Sequence, residues 1–244
     1  MSMSTHTMST VLGEFARVAK AMANPVRLHL LDLLSQAERN VEDLAVAADV
    51  PIGNTSAQLK VLRDAGLVCS RREGTRIFYR LAGEDVTSLY ATLRQVSQHR
   101  LPAAEALSAG RGGTARPAEV VTREEVLRKL WDGKTVLIDV RPTVEYASAH
   151  IPGAISIPLE ELRSRMNEIP VGGEVIAYCR SAHCLLSREA VWLLRAHGRC
   201  ARQLEEGMLE WRLHCLPAES QLRRSHVVPA RPRAYVRASS AQSA

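Results

Sequence analysis

The chain has 244 residues, 46% hydrophobic and 24% charged, so it can form two domains with separate cores and does not resemble a disordered protein. Its formal net charge of +6 and its isoelectric point near 9.3 suit a polyanionic partner. Five unevenly spaced cysteines exclude the disulfide framework of a small secreted protein, and no apolar run approaches the roughly 20 residues of a membrane-spanning helix.

The first part of the chain is predicted to be mainly helical. Residues 1–10 are polar and lack the apolar core of a secretory signal, so we expect disorder there and a cytoplasmic protein without a membrane partner. Helical periodicity predicts helices over 11–23, 41–48, 54–65 and 85–100, with a turn over 49–53. Another helix is predicted to begin at Pro25, with Asn24 as its N-cap. Two short strands, 68–71 and 77–81, flank Glu73-Gly-Thr and predict a hairpin.

Helix, turn, helix and then a basic hairpin is the order of a winged helix-turn-helix. The motifs are Ala21-Met-Ala-Asn-Pro-Val-Arg-Leu, Gln58-Leu-Lys-Val-Leu-Arg-Asp-Ala-Gly-Leu-Val and Arg71-Arg-Glu-Gly-Thr-Arg-Ile-Phe-Tyr-Arg. With these motifs the chain resembles the ArsR-type family of small dimeric repressors over residues 11–100. The resemblance implies a homodimer that binds double-stranded operator DNA through this domain.

The fourth helix and the hairpin carry the candidate DNA contacts. Short polar side chains on the outer face of the helix can reach base edges in a major groove about 12 Å wide, and arginines on the wing can contact phosphates. The helix residues are Asn54, Ser56, Gln58 and Lys60, and the wing residues are Arg71, Arg72 and Arg76. The alternative is a winged helix used for protein contact, with a charged face that is merely solvated.

This domain lacks a recognisable detector of its own. Metal-sensing members resemble one another in a cysteine-rich third helix or in Asp and His ligands on the last helix. Here the third helix has no cysteine, and the last offers only Asp85 and His99, which is too sparse for a tetrahedral site. Cys69 is the only thiol of the domain and is interpreted as a packed small residue. We therefore expect no metal site and no cofactor.

Residues 101–118 are rich in Ala, Gly, Arg and Ser and are interpreted as a linker to a second domain over 119–216. A capping box at Thr122 opens a helix to Trp131, and strands alternating with helices predict a parallel sheet. The predicted strands are 135–140, 154–157, 174–179 and 200–204, the predicted helical segments are 144–149, 159–167 and 185–197, and residues 208–214 close the domain. Residues 217–244 carry five arginines among Pro, Ser and Ala and are expected to be disordered.

The central strand of this domain leads into the sequence Cys179-Arg-Ser-Ala-His-Cys184, and a helix follows. A sulfur at the carboxyl end of a strand, ringed by backbone N–H groups and facing a helix N-terminus, lies where negative charge is favoured. Cys179 is therefore predicted to be a thiolate nucleophile. Trp192, Trp211, Cys200 and Cys215 are interpreted as core residues.

The second domain resembles a single-domain rhodanese, the sulfurtransferase fold. The matching motifs, in order, are Leu137-Ile-Asp-Val-Arg, Glu145-Tyr, His150-Ile-Pro-Gly-Ala, Tyr178-Cys-Arg and Leu204-Glu-Glu-Gly-Met-Leu-Glu-Trp. The predicted fold is thus two domains, a mainly-α winged helix-turn-helix followed by an α/β rhodanese-like domain with a parallel sheet. The resemblance implies that Cys179 takes a sulfane sulfur from thiosulfate, a persulfide or polysulfide and carries it as a persulfide.

Each neighbour of Cys179 has a predicted role and an alternative one. The loop residues Arg180, Ser181, Ala182, His183 and Cys184 supply amides for the anionic adduct, with added positive charge from Arg180 and from His183 if protonated. Asp139 and Arg141 are expected to brace the loop, or else to form a purely structural ion pair. His183 is otherwise a solvated loop residue.

Cys184 and Leu185 depart from the resemblance, because many single-domain rhodaneses carry arginine and a small hydroxyl residue at these places. Losing the arginine weakens the binding of a dianionic donor, and a leucine at 185 disfavours a phosphatase-like loop. Cys184 is a candidate resolving thiol that attacks the Cys179 persulfide, or else a packing residue at the helix start.

These features favour a repressor whose rhodanese domain captures reactive sulfur and changes the docking of the two domains. Two alternatives stay open. One is a sulfurtransferase enzyme with an accessory winged helix, and the other is an arsenic- or heavy-metal-responsive repressor that uses the thiolates of Cys179 and Cys184.

Overall fold

The computed structural model of the chain describes residues 2–101, 120–129, 135–182 and 184–222. His183 and Trp131 lie outside these ranges, as do the predicted linker beyond Leu101 and the predicted tail beyond Leu222. Within the described ranges, no helix combines the length and apolar character needed to cross a membrane.

The N-terminal part is a helical unit with a small antiparallel sheet. Its helices are α1 (Ser2–Met22), α2 (Pro25–Gln36), α3 (Val41–Ala48), α4 (Ile52–Asp64) and α5 (Glu84–Arg100), and its strands are β1 (Arg39–Asn40), β2 (Val68–Glu73) and β3 (Arg76–Leu81). The sheet order is β1-β3-β2, so the β2–β3 hairpin forms the wing beside α3 and α4. Asn24 caps α2 as predicted, because its side chain accepts a hydrogen bond from the amide of Arg27.

Three local predictions for this unit differ from the structure. The first helix continues back to Ser2, about two and a half turns before its predicted start, where the sequence predicts disorder over 1–10, because each residue added to a formed helix costs little. Helix α4 begins at Ile52, inside the predicted turn, since the carbonyl of Pro51 already accepts the amide of Thr55 at 2.9 Å. The strand β1 is only two residues long and has no periodicity to detect.

The C-terminal part is a parallel sheet of order β4-β8-β7-β5-β6 with helices against it. Its strands are β4 (Val120–Val121), β5 (Thr135–Asp139), β6 (Ile155–Ser156), β7 (Glu174–Tyr178) and β8 (Ala201–Leu204), and its helices are α6 (Arg123–Lys129), α7 (Thr143–Ser148), α8 (Leu185–Ala196) and α9 (Met208–Leu213). The strand β7 lies at the centre, and Val175, Ile176 and Ala177 are fully buried. The parallel sheet therefore confirms the predicted fold class.

Some predictions for this unit were wrong. Residues 159–167 form two short 3₁₀ segments, Leu159–Glu161 and Met166–Glu168, because Arg165 leaves the helical region at φ −107°. Cys200 and Cys215 are exposed, since Cys200 lies directly before strand β8 and Cys215 lies in the turn after α9. Trp192 is 65% exposed on α8, whereas Trp211 is buried as predicted.

Helix α9 joins the two units. Leu209 is 1% exposed and belongs to the same buried cluster as Leu31 and Tyr90 of the N-terminal helices. Arg212 donates to the carbonyl of Ser35 at 2.8 Å. The last helix of the parallel-sheet unit therefore contributes a side chain to the core of the helical unit.

Replacing Leu209 with alanine tests this shared core. Leu209→Ala leaves a cavity among the N-terminal helices and is expected to lower the free energy of unfolding by about 2–5 kcal/mol. Chemical denaturation followed by circular dichroism measures the change. The control is Val171→Ala, because Val171 is 88% exposed and its truncation should cost less than about 0.5 kcal/mol. Equal effects of the two variants would contradict a core role for Leu209.

Candidate functional site

Cys179 follows the central strand β7 directly, and its side chain is 1% exposed. The loop of residues 179–184, here called the sulfur loop, then leads to α8, which begins at Leu185. The buried tyrosine Tyr178 ends the strand, and its hydroxyl accepts a hydrogen bond from the amide of Ile151 at 3.1 Å. Because β7 lies between two parallel neighbours, the sulfur sits at the carboxyl edge of the sheet, as the sequence predicts.

The backbone of the sulfur loop rests on the start of α9. The amide of Met208 donates to the carbonyl of Cys179, and the amide of Leu209 donates to the carbonyl of Arg180, both at 2.9 Å. Gly207 allows this approach, since a Cβ atom there would lie 2.1 Å from the amide nitrogen of Ser181. Residue 207 must therefore be glycine for the loop to keep this position.

Cys179 and Cys184 are joined by a disulfide bond, with their Cα atoms 6.1 Å apart. This Cα separation lies within the usual range for disulfides. The amide of Cys184 donates to the carbonyl of Ser181 at 3.0 Å and closes the turn between the two cysteines. The loop thus brings together the two thiols that the sequence singles out, and the resolving role of Cys184 stays a prediction.

Arg180 binds the carboxylate of Glu145, which is fully buried. Its Nε lies 2.9 and 3.0 Å from the two carboxylate oxygens, and its Nη2 lies 2.6 Å from Oε1. Burial lowers the pKa of the Arg180 guanidinium, but the hydrogen bonds and charge of Glu145 outweigh it and raise the pKa above its usual value. Arg180 is therefore a fixed cation one residue after Cys179 in the chain.

A second arginine shares the same carboxylate. Arg39 of β1, in the helical unit, donates its Nη2 to Oε1 of Glu145 at 2.6 Å and is 6% exposed. Burial lowers the pKa of Arg39, and the charge of Glu145 offsets part of that effect. Sequence reasoning did not identify Arg39 or this role of Glu145, because the two residues are 106 positions apart.

Asp139 and Arg141 form a buried ion pair with each other, with Nε 2.9 Å from Oδ1. Arg141 also donates to the carbonyl of Ala149 at 2.7 Å and to the side-chain oxygen of Gln36 at 2.9 Å. Within the part of the chain that the structure describes, none of their hydrogen bonds reaches residues 180–184. The expected bracing of the loop is therefore not seen, and the structural alternative fits the contacts.

The candidate DNA contacts lie on α4 and on the wing, and most of them are exposed. Asn54, Ser56 and Lys60 are exposed on α4, Gln58 is half-buried there, and Arg71, Arg72 and Arg76 are exposed on the wing. Gln58 is fixed in place, since it donates to Asn54 at 3.0 Å and accepts from Nη1 of Arg27 at 2.8 Å. Arg27 lies in the Asn-Pro-Val-Arg motif, and only its contacts reveal that it orients Gln58.

Arg71 is paired within the protein. Its guanidinium binds both carboxylate oxygens of Glu38, at 2.8 and 2.9 Å, contacts Glu73, and stacks 4.8 Å from the ring centre of Phe78. The hydrogen bonds to Glu38 and Glu73 raise the pKa of Arg71. This arginine must exchange carboxylates for phosphates before it can contact DNA.

Comparison with known proteins covers both units. The model of the bacterial regulatory protein arsR family matches residues 24–70, and that of the rhodanese-like domain matches residues 122–214. The HTH-type transcriptional regulator Rv0324 of Mycobacterium tuberculosis is 44% identical over 211 residues, which cover 86% of this chain and 92% of Rv0324. The chain belongs to the arsR family of transcriptional regulators.

Two further similarities concern the separate units of this arsR-family regulator. A sulfurtransferase of Allochromatium vinosum is 33% identical over 98 residues, covering 40% of this chain and 91% of that protein. A winged helix-turn-helix fragment from Mycobacterium bovis, described as homodimeric and DNA-binding, is 48% identical and covers 38% of this chain and 86% of that fragment, with a TM-score of 0.37. The regulator thus combines an arsR-type domain with a C-terminal rhodanese-like domain.

Replacing Gly207 with alanine tests the position of the sulfur loop. Gly207→Ala places a methyl group against the Ser181 backbone and should displace the sulfur loop. Sulfur addition to reduced Cys179 is expected to slow by about 100-fold, because a shift of about 1 Å in a reacting group has an effect of this size. Mass spectrometry after a timed polysulfide pulse measures the rate. Gly53→Ala is the control, since a Cβ there meets nothing within 4 Å. Equal rates in both variants would exclude the predicted crowding.

Replacing Glu38 with glutamine tests the paired state of Arg71. Glu38→Gln removes one carboxylate from Arg71 and is expected to tighten DNA binding. The slope of the logarithm of the binding constant against the logarithm of the salt concentration should become steeper by about 0.9. Fluorescence anisotropy across a salt series measures both. The control is Glu161→Gln, which makes the same charge change at the Arg165 ion pair of the rhodanese-like domain. An unchanged slope in Glu38→Gln would contradict the release of Arg71.

Proposed function

We propose that the regulator is a homodimeric repressor in the cytoplasm whose affinity for its operator DNA depends on sulfane sulfur bound at Cys179. The observation that carries the proposal is the pair Cys179 and Cys184, held at bonding distance in the central loop of a rhodanese-like domain. This loop belongs to the same chain as the DNA-binding domain. The described residues contain no group of three or more potential metal ligands, which leaves these thiols as the candidate detector.

The chemistry begins at Cys179. Its thiolate attacks a terminal sulfur of polysulfide, an S–S bond of the polysulfide breaks, and the shortened polysulfide leaves as the anion, so Cys179 becomes a persulfide. The thiolate of Cys184 then attacks Sγ of Cys179 and expels the outer sulfur as hydrosulfide. The sulfane sulfur is reduced to sulfide, the two thiols are oxidised to the disulfide, and no other oxidant is needed.

The surroundings of Cys179 support an anionic sulfur. Arg180, the next residue, and Arg39 carry two positive charges that share the carboxylate of Glu145, so these three side chains sum to a charge of +1. A nearby positive charge stabilises a thiolate or persulfide anion over its protonated form. The N–H groups of α9 fix the loop from the other side.

The DNA-binding and dimeric parts of the proposal rest on the helical unit. Exposed polar side chains on α4 suit a DNA groove, and exposed basic side chains on the wing suit its phosphates. Helices α1 and α5 expose apolar side chains that another copy can cover, namely Val11, Leu12, Phe15, Leu89, Leu93 and Val96. A symmetric dimer predicts a pseudo-palindromic operator.

Sulfur transfer to an external acceptor is the second candidate function. The likeness to the A. vinosum sulfurtransferase favours it. The 1% exposure of Cys179 in the bridged form restricts access by a large acceptor. High turnover with thiosulfate together with a constant DNA affinity would favour this candidate over the first.

Removal of the reactive thiol tests the proposed function. Polysulfide is expected to change the DNA affinity of the reduced wild type by about 5-fold or more, the usual scale of coupling between two sites. Cys179→Ser should abolish the change, and Cys184→Ser should stop at the persulfide, one sulfur atom heavier. Anisotropy titrations and intact-protein mass spectrometry measure these outcomes.

The control for this experiment is Cys200→Ser, because Cys200 is exposed and lies away from the loop. It should respond like the wild type. The same response in Cys179→Ser would show that another group senses polysulfide and would reject the proposal.

A further inference from the structure

Glu145 lies between the two domains and binds a cation from each. Its carboxylate accepts from Arg180, which follows Cys179 in the sulfur loop, and from Arg39, which belongs to β1 of the DNA-binding domain. Glu145 is fully buried and Arg39 is 6% exposed, so water contributes little to their solvation. The sulfur site is therefore completed by a residue of the other domain.

The three charges cannot move independently. A buried carboxylate that loses a partner, or a buried guanidinium that loses its carboxylate, is left uncompensated at a large cost. Glu145 is the anion that Arg39 hydrogen-bonds, Asp43 adds a second favourable charge, and the buried Nε of Arg39 has no hydrogen-bond partner. A change at Cys179 that shifts Arg180 must therefore shift Glu145 and Arg39 as well.

Arg39 is connected directly to the wing. It pairs with Tyr79 of the wing strand β3 in the antiparallel register. The preceding residue, Glu38, holds the guanidinium of Arg71 through both carboxylate oxygens. A displacement of residues 38 and 39 thus reaches a wing arginine that is a candidate phosphate contact.

We propose that Arg39 and Glu145 are positioning residues that couple the sulfur loop to the wing. In the rhodanese-like domain they fix the position of Arg180, the residue after Cys179. In the DNA-binding domain they fix the position of Glu38, which decides whether Arg71 can leave Glu38 and contact a phosphate. This inference rests on the proposed sensing function, because it names the path by which the sulfur state of Cys179 alters DNA affinity. The path consists of Arg180, Glu145, Arg39, Glu38 and Arg71.

The variant Arg39→Met tests the coupling and should still fold. Glu145 keeps its pair with Arg180, and methionine fills part of the space of the arginine stem, whereas Glu145→Gln would leave two buried cations without an anion. In Arg39→Met, polysulfide should still oxidise Cys179 and Cys184 to the disulfide, seen by mass as the loss of two hydrogen atoms. The ratio of DNA affinities with and without polysulfide should fall to within about twofold of 1, from about 5-fold or more in the wild type. The DNA probe is a duplex obtained by in vitro selection on the reduced protein.

A second measurement reads the sulfur site without DNA. Removing Arg39 leaves the Glu145 charge less compensated, so the thiolate of reduced Cys179 is disfavoured and its alkylation midpoint should move to higher pH. Arg39→Lys restores the cation and should return the midpoint toward the wild-type value. A purely structural role for Arg39 would change the melting temperature without this dependence on charge.

The matched control is Arg212→Met. Arg212 lies at the same domain interface and donates to the Ser35 carbonyl, and its hydrogen bonds in the described chain include none to Glu145 or the sulfur loop. It should keep the polysulfide response. Loss of the response in both variants would assign the effect to general loosening of the interface and overturn the proposed path.

The outcomes separate this inference from the proposed function. If the wild type does not respond to polysulfide, the sensing function fails, and the alkylation midpoint alone decides whether Arg39 positions the sulfur site. A response and a midpoint that both stay at wild-type values in Arg39→Met would overturn the inference while leaving the sensing function intact.

Discussion

The buried carboxylate of Glu145 is the constraint on which the arrangement of the two domains depends. A charge buried away from solvent requires an opposite charge nearby. Glu145 is paired with Arg39 of one domain and Arg180 of the other. Breaking a buried pair of this kind by removing one partner typically costs about 3–5 kcal/mol. The domains are therefore docked by charges that tolerate little displacement, in addition to the apolar contact made by Leu209.

In the proposed function, this docking lets a detector lie outside the DNA-binding domain. The arsR-family match covers the helical unit, while the two thiols lie in the rhodanese-like unit. Helix α9 connects the two, because its first amides bind the carbonyls of the sulfur loop and its Leu209 packs among the N-terminal helices. A detector that contacts the DNA-binding domain through both charge and packing can influence it without a flexible intermediary.

Motifs with local physical causes could be read from the sequence. The cap at Asn24, the hairpin around Gly74 and the strand that ends before Cys179 each depend on residues close in sequence, and the structure shows all three. Contacts with distant partners could not be predicted in this way. Arg180 was expected to supply positive charge in the loop, and the sequence did not reveal that a carboxylate 35 positions away holds it.

The sequence by itself determined the two folds, their order and the cysteine at the carboxyl edge of the central strand, because periodicity, capping and motif spacing are local properties. Only the tertiary structure decided which charges meet. Residues 39, 145 and 180 are far apart in the chain, and no spacing rule predicts that Arg39 and Arg180 share the buried carboxylate of Glu145. The close approach of Gly207 to the sulfur loop is likewise a property of the packed fold.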